Sequence, residues 1–257
     1  MLTGAGTSTA SGIPVYRDAD GRWMRPAPVM YQDFVRSPAV QRRYWRRSMA
    51  GWPRVARARP GAAHRALARL EAQQRVTRIV TQNVDGLHER AGSATALALH
   101  GRIDAVVCLD CAARFARPDI QCVLEACNPR CRSVGATSAP DGDADIDDGA
   151  DVAFAIPECT HCGGMLKPDV VFFGESVPKP RVADARDALE RADAMLVVGS
   201  SLAAYSGFRF CEWAAALQKP LAAVNIGRTR ADPLFALKVS EPCGPLLDAL
   251  AQQLDNA

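Results

Sequence analysis

The sequence predicts an α/β fold: one parallel-sheet domain with a small module inserted into it. Three observations predict this. Short apolar runs alternate with amphipathic helical stretches in the last third of the chain, the pattern of a parallel sheet covered on both faces. A glycine-rich loop, GAGTSTASGIPVYR (Gly4–Arg17), stands near the start, where such a sheet turns from its first strand. Two CxxC pairs, Cys108/Cys111 and Cys159/Cys162, flank a segment of different composition.

Taken in order, MLT before the glycine loop is expected to be a very short strand. Helix is expected within Asp33–Gly51 after Pro38. GAAHRALARLEAQQ (Gly61–Gln74) reads as an amphipathic helix, with Ala63, Leu67 and Leu70 on one stripe. VTRIVTQN (Val76–Asn83) is a strand running into a polar turn. The run AVVCLDC leads into the first cysteine pair. The stretch APDGDADIDDGAD, numbers 139–151, holds six aspartates and reads as a surface loop or disordered excursion. LKPDVVFFGE (Leu166–Glu175) is a buried strand turning at Gly174. The chain then alternates: helix over 181–193, strand and loop in AMLVVGSSL, helix over 206–218, strand and loop in PLAAVNIG. The expected domains are a discontinuous parallel-sheet domain, 1–104 and 165–257, and an inserted cysteine module, 105–164.

At 257 residues, with 48% hydrophobic and 23% charged residues, the chain has the composition of a globular enzyme. No apolar run reaches the roughly 18 residues of a membrane span, and no leader is visible. Nine cysteines without a leader argue against a disulfide framework. The expected location is a bacterial cytoplasm, or an organelle if an N-terminal segment is missing. Net charge is only +3, yet fifteen arginines between Arg17 and Arg78 face four acids. That is either a solvated basic face or a field that attracts anions. No aromatic or basic module supports nucleic-acid binding. Oligomeric state is left open.

The cysteines give the most specific chemical signal. Two CxxC knuckles can place four thiolates tetrahedrally around one zinc. Four protein ligands leave no open position, so such a zinc is structural. Cys122, Cys127 and Cys131 fit the spacing less well. GAGTSTASG is weaker, because a dehydrogenase fingerprint has a third glycine where Thr9 stands. It gains weight from three more polar or glycine loops at strand ends: TQNVDG, VGSSL and NIG. In an open α/β sheet ligands bind there, and four such loops can line a dinucleotide. Of the four histidines, His64 reads as structural within its helix and His88 as a local turn residue. His100, between Leu99 and Gly101, is a candidate general base.

Together GAGTSTASGIPVYR, TQNVDGLH, LHG, the CxxC pairs, LKPDVVFFGE, VVGSSL and NIG resemble the sirtuins, NAD-dependent protein deacylases, in that family's order and over nearly the whole chain. Tyr16–Arg17, APDGD and GSSLAAYSG resemble its class II branch. The resemblance implies a Rossmann-like large domain, NAD and zinc as cofactors, and NAD between the large domain and the zinc module. It implies cleavage of NAD to nicotinamide, transfer of the acyl group from lysine to ADP-ribose, and acyl-lysine proteins as substrates. It makes His100, Asn83 and Asp85 catalytic: His100 accepts a proton from the ribose, Asn83 with Gln82 positions the ribose, and Asp85 holds the nicotinamide carboxamide. Gly4, Ala5, Gly6, Ser8, Pro14, Gly199, Ser200 and Ser201 line the cofactor. Tyr16 shields the reacting face with Arg17 close by, and Asn225, Ile226, Gly227 and Cys243 reach the adenosine end. Val171, Phe173, Gly174 and Glu175 pair with the substrate peptide opposite Tyr205 and Ser206.

Tyr44 and Arg47 are three apart in RRYWRR and share a helix face. A phenol and a guanidinium suit a carboxylate, so the pair is either part of a basic helix surface or a reader of acidic or long acyl groups, such as glutaryl, in preference to acetyl. The other functions left open are mono-ADP-ribosyl transfer and a non-catalytic NAD-binding scaffold.

Overall fold

The structure is a computed structural model that describes residues 1–24, 28–131 and 154–255, and the backbone of the strand pair Thr137–Ser138 and Ala144–Asp145. The chain forms two compact units, one of Met1–Pro26, Ala58–Leu99 and Val177–Ala257, the other of Ala27–Arg57 and His100–Ser176. The elements in chain order are β1 (Leu2–Thr3), α1 (Tyr31–Arg36), α2 (Pro38–Arg57), α3 (Ala62–Ala72), β2 (Ile79–Thr81), α4 (Leu87–Arg90) and β3 (Ala96–Ala98). There follow β4 (Gly101–Cys108), β5 (Arg114–Ala116), α5 (Arg117–Cys127), β6 (Thr137–Ser138), β7 (Ala144–Asp145) and β8 (Leu166–Val170). The chain ends with α6 (Lys179–Arg191), β9 (Met195–Val198), α7 (Tyr205–Ala216), β10 (Leu221–Val224), β11 (Leu237–Val239) and α8 (Cys243–Asp255).

The first unit is built on a six-stranded sheet in the order β11-β10-β9-β1-β2-β3, parallel throughout. Its central strands are buried on both faces: Leu2, Ile79, Val197 and Val198 expose 1% or less. That is why the short apolar runs do not alternate with polar residues. The stripe of α3 predicted from the sequence packs with α8 in one core of Ala63, Ala66, Leu67, Leu70, Ile79, Val198, Leu247 and Ala251. The first strand is as short as expected. The strand order runs outward in opposite directions from β1 and β9. The carboxyl ends of these two strands therefore form the switch point where open α/β sheets take ligands.

The second unit carries an antiparallel sheet, β5-β4-β8. Its register shifts between Gly101 and Val106. At Gly101 φ is +81°, and a Cβ would stand 2.1 Å from the carbonyl oxygen of Asp169, so only glycine allows β4 to meet β8 there. Helix α2 docks on α5 through the buried Arg117, whose guanidinium donates to Gln121 Oε1 at 2.8 Å and to the carbonyl and hydroxyl of Ser48. The α/β class with an inserted module is as the sequence predicts. Of the acidic stretch 139–151, only Ala144–Asp145 is described, as strand; the rest of that expectation lies outside the described residues.

Candidate functional site

Four loops cluster at the carboxyl ends of β1, β2, β9 and β10. The β1 loop coils through two single 3-10 turns, Ala5–Thr7 and Thr9–Ser11. It is pinned to the β9 loop by Gly4 N–H to Val198 O (3.1 Å) and Gly6 N–H to Gly199 O (2.8 Å). A Cβ on Gly6 would fall 2.8 Å from the Gly199 α-carbon. Both loops are backbone at that contact, which gives the GAG glycines a purpose the sequence did not disclose. They let two strand-end loops touch, as well as leaving room for a ligand.

Polar side chains then cross-brace the loops. Asn83 Nδ2 lies 3.1 Å from Gly4 O, from Thr7 Oγ1 and from Ser8 Oγ. Ser8 donates its hydroxyl proton to Asp85 Oδ2 at 2.7 Å, while the other Asp85 oxygen accepts the Leu87 N–H at 2.9 Å at the start of α4. Gln82 Nε2 donates to Ser200 Oγ at 2.8 Å, joining the β2 loop to the β9 loop. Cys243 Sγ lies 3.6 Å from Gly6 O, so α8 also begins against the glycine loop. Asn225 turns its amide back onto its own loop, donating to Ile226 O at 3.0 Å. The cofactor residues expected from Gly4, Gly6, Ser8, Gln82, Asn83, Asp85, Gly199, Ser200 and Cys243 thus form one hydrogen-bonded cluster. Tyr16 and Arg17 stand beside Trp23 instead: the Tyr16 ring is 6.2 Å from it, edge-on, and the Arg17 guanidinium 3.9 Å. Amides, hydroxyls and one carboxylate at a topological switch point are donors and acceptors that suit the riboses, pyrophosphate and carboxamide of a dinucleotide.

Below this cluster lies a feature the sequence reading missed. His64 is fully buried and belongs to the site. Gly61 N–H donates to its Nδ1 at 3.2 Å, so the ring proton sits on Nε2 and points to Ser8 Oγ, 3.3 Å away. His88 packs against it with ring centroids 4.8 Å apart and contacts Thr3 Oγ1 through Nε2 at 3.0 Å. Its Nδ1 is buried without a partner among the described residues. Burial drives the ring of His64 down to about 4, only partly offset by Asp85, and that of His88 down to about 3. Both are neutral at physiological pH. The sequence hid them because each sits on the apolar face of a good helix or turn.

In the second unit the four CxxC sulfurs all lie within 4.8 Å of one another. Cys108 Sγ is 3.6 Å from Cys162 Sγ, and Cys111 Sγ is 3.7 Å from Cys159 Sγ. A tetrahedral ZnS4 centre with bonds of about 2.3 Å has sulfur–sulfur edges of about 3.8 Å. The residues fit zinc, and the spacing is far too long for disulfides. Among the described residues this is the only cluster of metal-ligating type; Cys122, Cys127 and Cys131 lie outside it.

The expected substrate segment also lies in this unit. The Phe173 carbonyl accepts the Tyr31 N–H at 2.8 Å, and Gln32 Nε2 donates to Gly174 O at 2.9 Å, so the chain's own residues 30–32 run beside it. The Glu175 carboxylate turns inward to the Phe172 N–H (2.8 Å) and the buried Lys167 ammonium (3.0 Å), which makes it a brace for this segment. Val171 N–H donates to His100 O at 2.7 Å. Tyr44 is buried in an aromatic cluster with Phe34, Trp45 and Phe172, at 5.5, 5.6 and 5.1 Å between centroids. Arg47, three residues on, is half-buried. Tyr205 and Ser206 open α7 in the first unit, Tyr205 largely exposed.

The sheet and its loop cluster define a dinucleotide-binding α/β protein with a four-cysteine metal centre. Comparison with known proteins narrows this class. Residues 4–206 match the Sir2 family, and the chain belongs to that family. It is 53% identical over 255 residues to an NAD-dependent protein deacetylase of Xanthomonas campestris, covering 99% of this chain and 87% of that protein. It is 54% identical over 247 residues to one of Bordetella bronchiseptica, covering 96% and 90%. Among solved structures it resembles Sir2 with a p53 peptide and NAD+ (TM-score 0.78, 27% identity, 100% of this chain and 92% of that one). It also resembles a Sir2 homologue bound to ADP-ribose (TM-score 0.77, 29% identity, 99% and 90%). Among the described residues no helix is long and apolar enough to cross a membrane.

Proposed function

We propose that this chain is an NAD-dependent protein-lysine deacylase of the class II branch, acting on acylated lysines of protein substrates and favouring acidic acyl groups. The observation that carries the reading is the hydrogen-bonded set of Ser8, Asn83 and Asp85 where β1 and β2 end. Bound NAD supplies an electrophilic ribose carbon, with nicotinamide as its leaving group, to the acyl oxygen of the substrate. The chain's residues prepare that exchange. Gly4, Ala5, Gly6, Ser8 and Pro14, with Gly199, Ser200 and Ser201, bind the pyrophosphate side. Asn225, Ile226, Gly227 and Cys243 take the adenosine end. Asn83, with Gln82, orients the nicotinamide ribose; Asp85, both of whose oxygens are already fixed, holds the carboxamide in one orientation. Tyr16 and Arg17 cover the reacting face, and His100 accepts the ribose hydroxyl proton. Phe173 and Gly174, steadied by Glu175 and Val171, hold the peptide with Tyr205 and Ser206. The four-cysteine zinc is structural.

The acyl preference rests on Tyr44 and Arg47. A phenol and a guanidinium together suit a carboxylate tail better than a methyl group. The test is incubation with NAD and a panel of acetyl, succinyl and glutaryl peptides, following nicotinamide and O-acyl-ADP-ribose by mass spectrometry. Both products should appear together and fall by about 10²–10⁴ in His100→Ala, as for a lost general base. Nicotinamide without the acyl product would replace the reading with ADP-ribosyl transfer or NAD hydrolysis. Arg47→Ala should lower glutaryl turnover relative to acetyl; an unchanged ratio would remove the acyl preference.

A further inference from the structure

A cationic aromatic patch on the first unit takes no part in the cofactor cluster. Tyr205, at the start of α7, is 55% exposed. Arg209, one turn further along the helix, holds its guanidinium 5.5 Å from the Tyr205 ring centroid. Arg230, in the segment after β10, holds its own 5.6 Å from the same ring and 4.3 Å from that of Phe208. Arg230 is fixed at its backbone, where its N–H donates to Ser201 O at 2.9 Å. Two guanidinium groups therefore share one exposed tyrosine.

These charges are not neutralised locally. Among the described residues, neither Arg209 nor Arg230 is ion-paired to a carboxylate, and the Nε of Arg209 is buried without a partner. Asp232, two residues from Arg230, is already held by Thr229 Oγ1 at 2.6 Å and Lys238 Nζ at 2.8 Å. Arg228, exposed, adds a third positive charge to the segment. A guanidinium held beside a ring can still offer its terminal N–H groups to a carboxylate through two hydrogen bonds. Two unneutralised cations on one ring repel each other, and an anion placed between them relieves that repulsion.

We propose that Arg209 and Arg230, held on Tyr205, form a docking site for an aspartate or glutamate side chain of the protein substrate, close in sequence to its acylated lysine. The inference rests on the deacylase reading and on its assignment of Tyr205 and Ser206 to the substrate peptide. It adds a rule that the acyl pocket does not contain: the protein sequence around the lysine matters, and acid is preferred.

The experiment compares three acetyl-lysine peptides whose flanks are neutral, glutamate-rich or lysine-rich, in turnover and in direct binding by fluorescence anisotropy. The native chain should bind the glutamate peptide with KM and Kd about tenfold lower than the neutral one, the scale of one charge-assisted bidentate contact. Arg209→Gln with Arg230→Gln should erase that difference, leaving kcat and the KM for NAD unchanged. Arg230→Glu should shift preference toward the lysine peptide, a reversal that misfolding does not produce. Equal affinity for the three peptides in the native chain would overturn the proposal, as would a preference that survives the double substitution. A raised KM for NAD with the peptide preference intact would overturn it too, giving the arginines to the dinucleotide instead. Turnover of the neutral peptide reports separately on the deacylase reading, and the anisotropy comparison stands without turnover.

Discussion

The four-cysteine centre and the strand-end loop cluster each gather polar groups in one place, but they balance those groups by different means. In the first, two short turns bring four sulfurs within 4.8 Å of one another. Zinc binds them as thiolates, and four like charges at that distance need a cation between them. In the second, the polar groups are matched inside the chain. Ser8 satisfies Asp85, Asn83 braces Gly4, Thr7 and Ser8, and Gln82 ties Ser200. The difference teaches that the cysteine module needs an ion to balance its charges, while the loop cluster balances its polar groups within the chain.

The largest effect expected from this contrast is metal removal. Chelation, or Cys159→Ser, should release about one zinc per chain and unfold the surroundings of β4, β5 and β8; structural zinc sites are worth on the order of 10 kcal/mol. Hydrogen exchange should then become fast over 101–127 and 159–170 while β1, β2 and β9 keep their protection. Protection kept around the cysteines after the zinc has gone would break the comparison.

Next in size is an acid sensitivity on the other side of the comparison. His64 and His88 stay neutral in the fold down to about 4 and about 3, because burial penalises their charged forms. In the unfolded chain they bind protons near their ordinary value of about 6.5. The unfolded state thus holds more protons below that value, and stability falls as pH drops from about 6.5 toward 4. The slope should approach about 1.4 kcal/mol per pH unit for each histidine. Thermal denaturation across this range should show the loss, and His88→Gln should make it shallower. A melting temperature independent of pH between 6.5 and 4.5 would contradict the buried neutral pair.

The smallest effect is the sharpest probe of the loop contact. Gly6→Ala would push a methyl group into the Gly199 backbone, which cannot swing aside as a side chain would. It should cost about 1–3 kcal/mol, as overpacking does, and weaken NAD binding by prising the β1 and β9 loops apart. A substitution that leaves calorimetric NAD affinity and melting temperature unchanged would show that the two loops are not held at that contact.

Much of this was legible in the sequence, though unevenly. CxxC spacing names its own chemistry, so the four ligands could be read without knowing what lies between them. The parallel sheet was legible through β2, β9 and β10, whose runs are apolar enough to be buried on both faces. Strands β3 and β11 were not. Each is three residues long, and β11 lies at the sheet edge with Leu237 exposed, so burial writes no pattern into it. Helix α8 did carry a pattern, Cys243, Leu247 and Ala251 on one buried face, but Gly244 and Pro245 at its start obscured it. The loop residues became legible only as a set, since no single strand-end turn is specific. His64 was not legible, because a histidine on an apolar helix face looks the same whether it fills a core or donates to Ser8.

The central claim is that the loop cluster of the first unit is where NAD binds. The most direct measurement is hydrogen exchange of the zinc-loaded chain, followed by mass spectrometry, with and without saturating NAD. The account predicts added protection over 4–17, 82–87, 199–202 and 225–227 and at the start of α8. NAD binding that left those segments unchanged and protected others would contradict it.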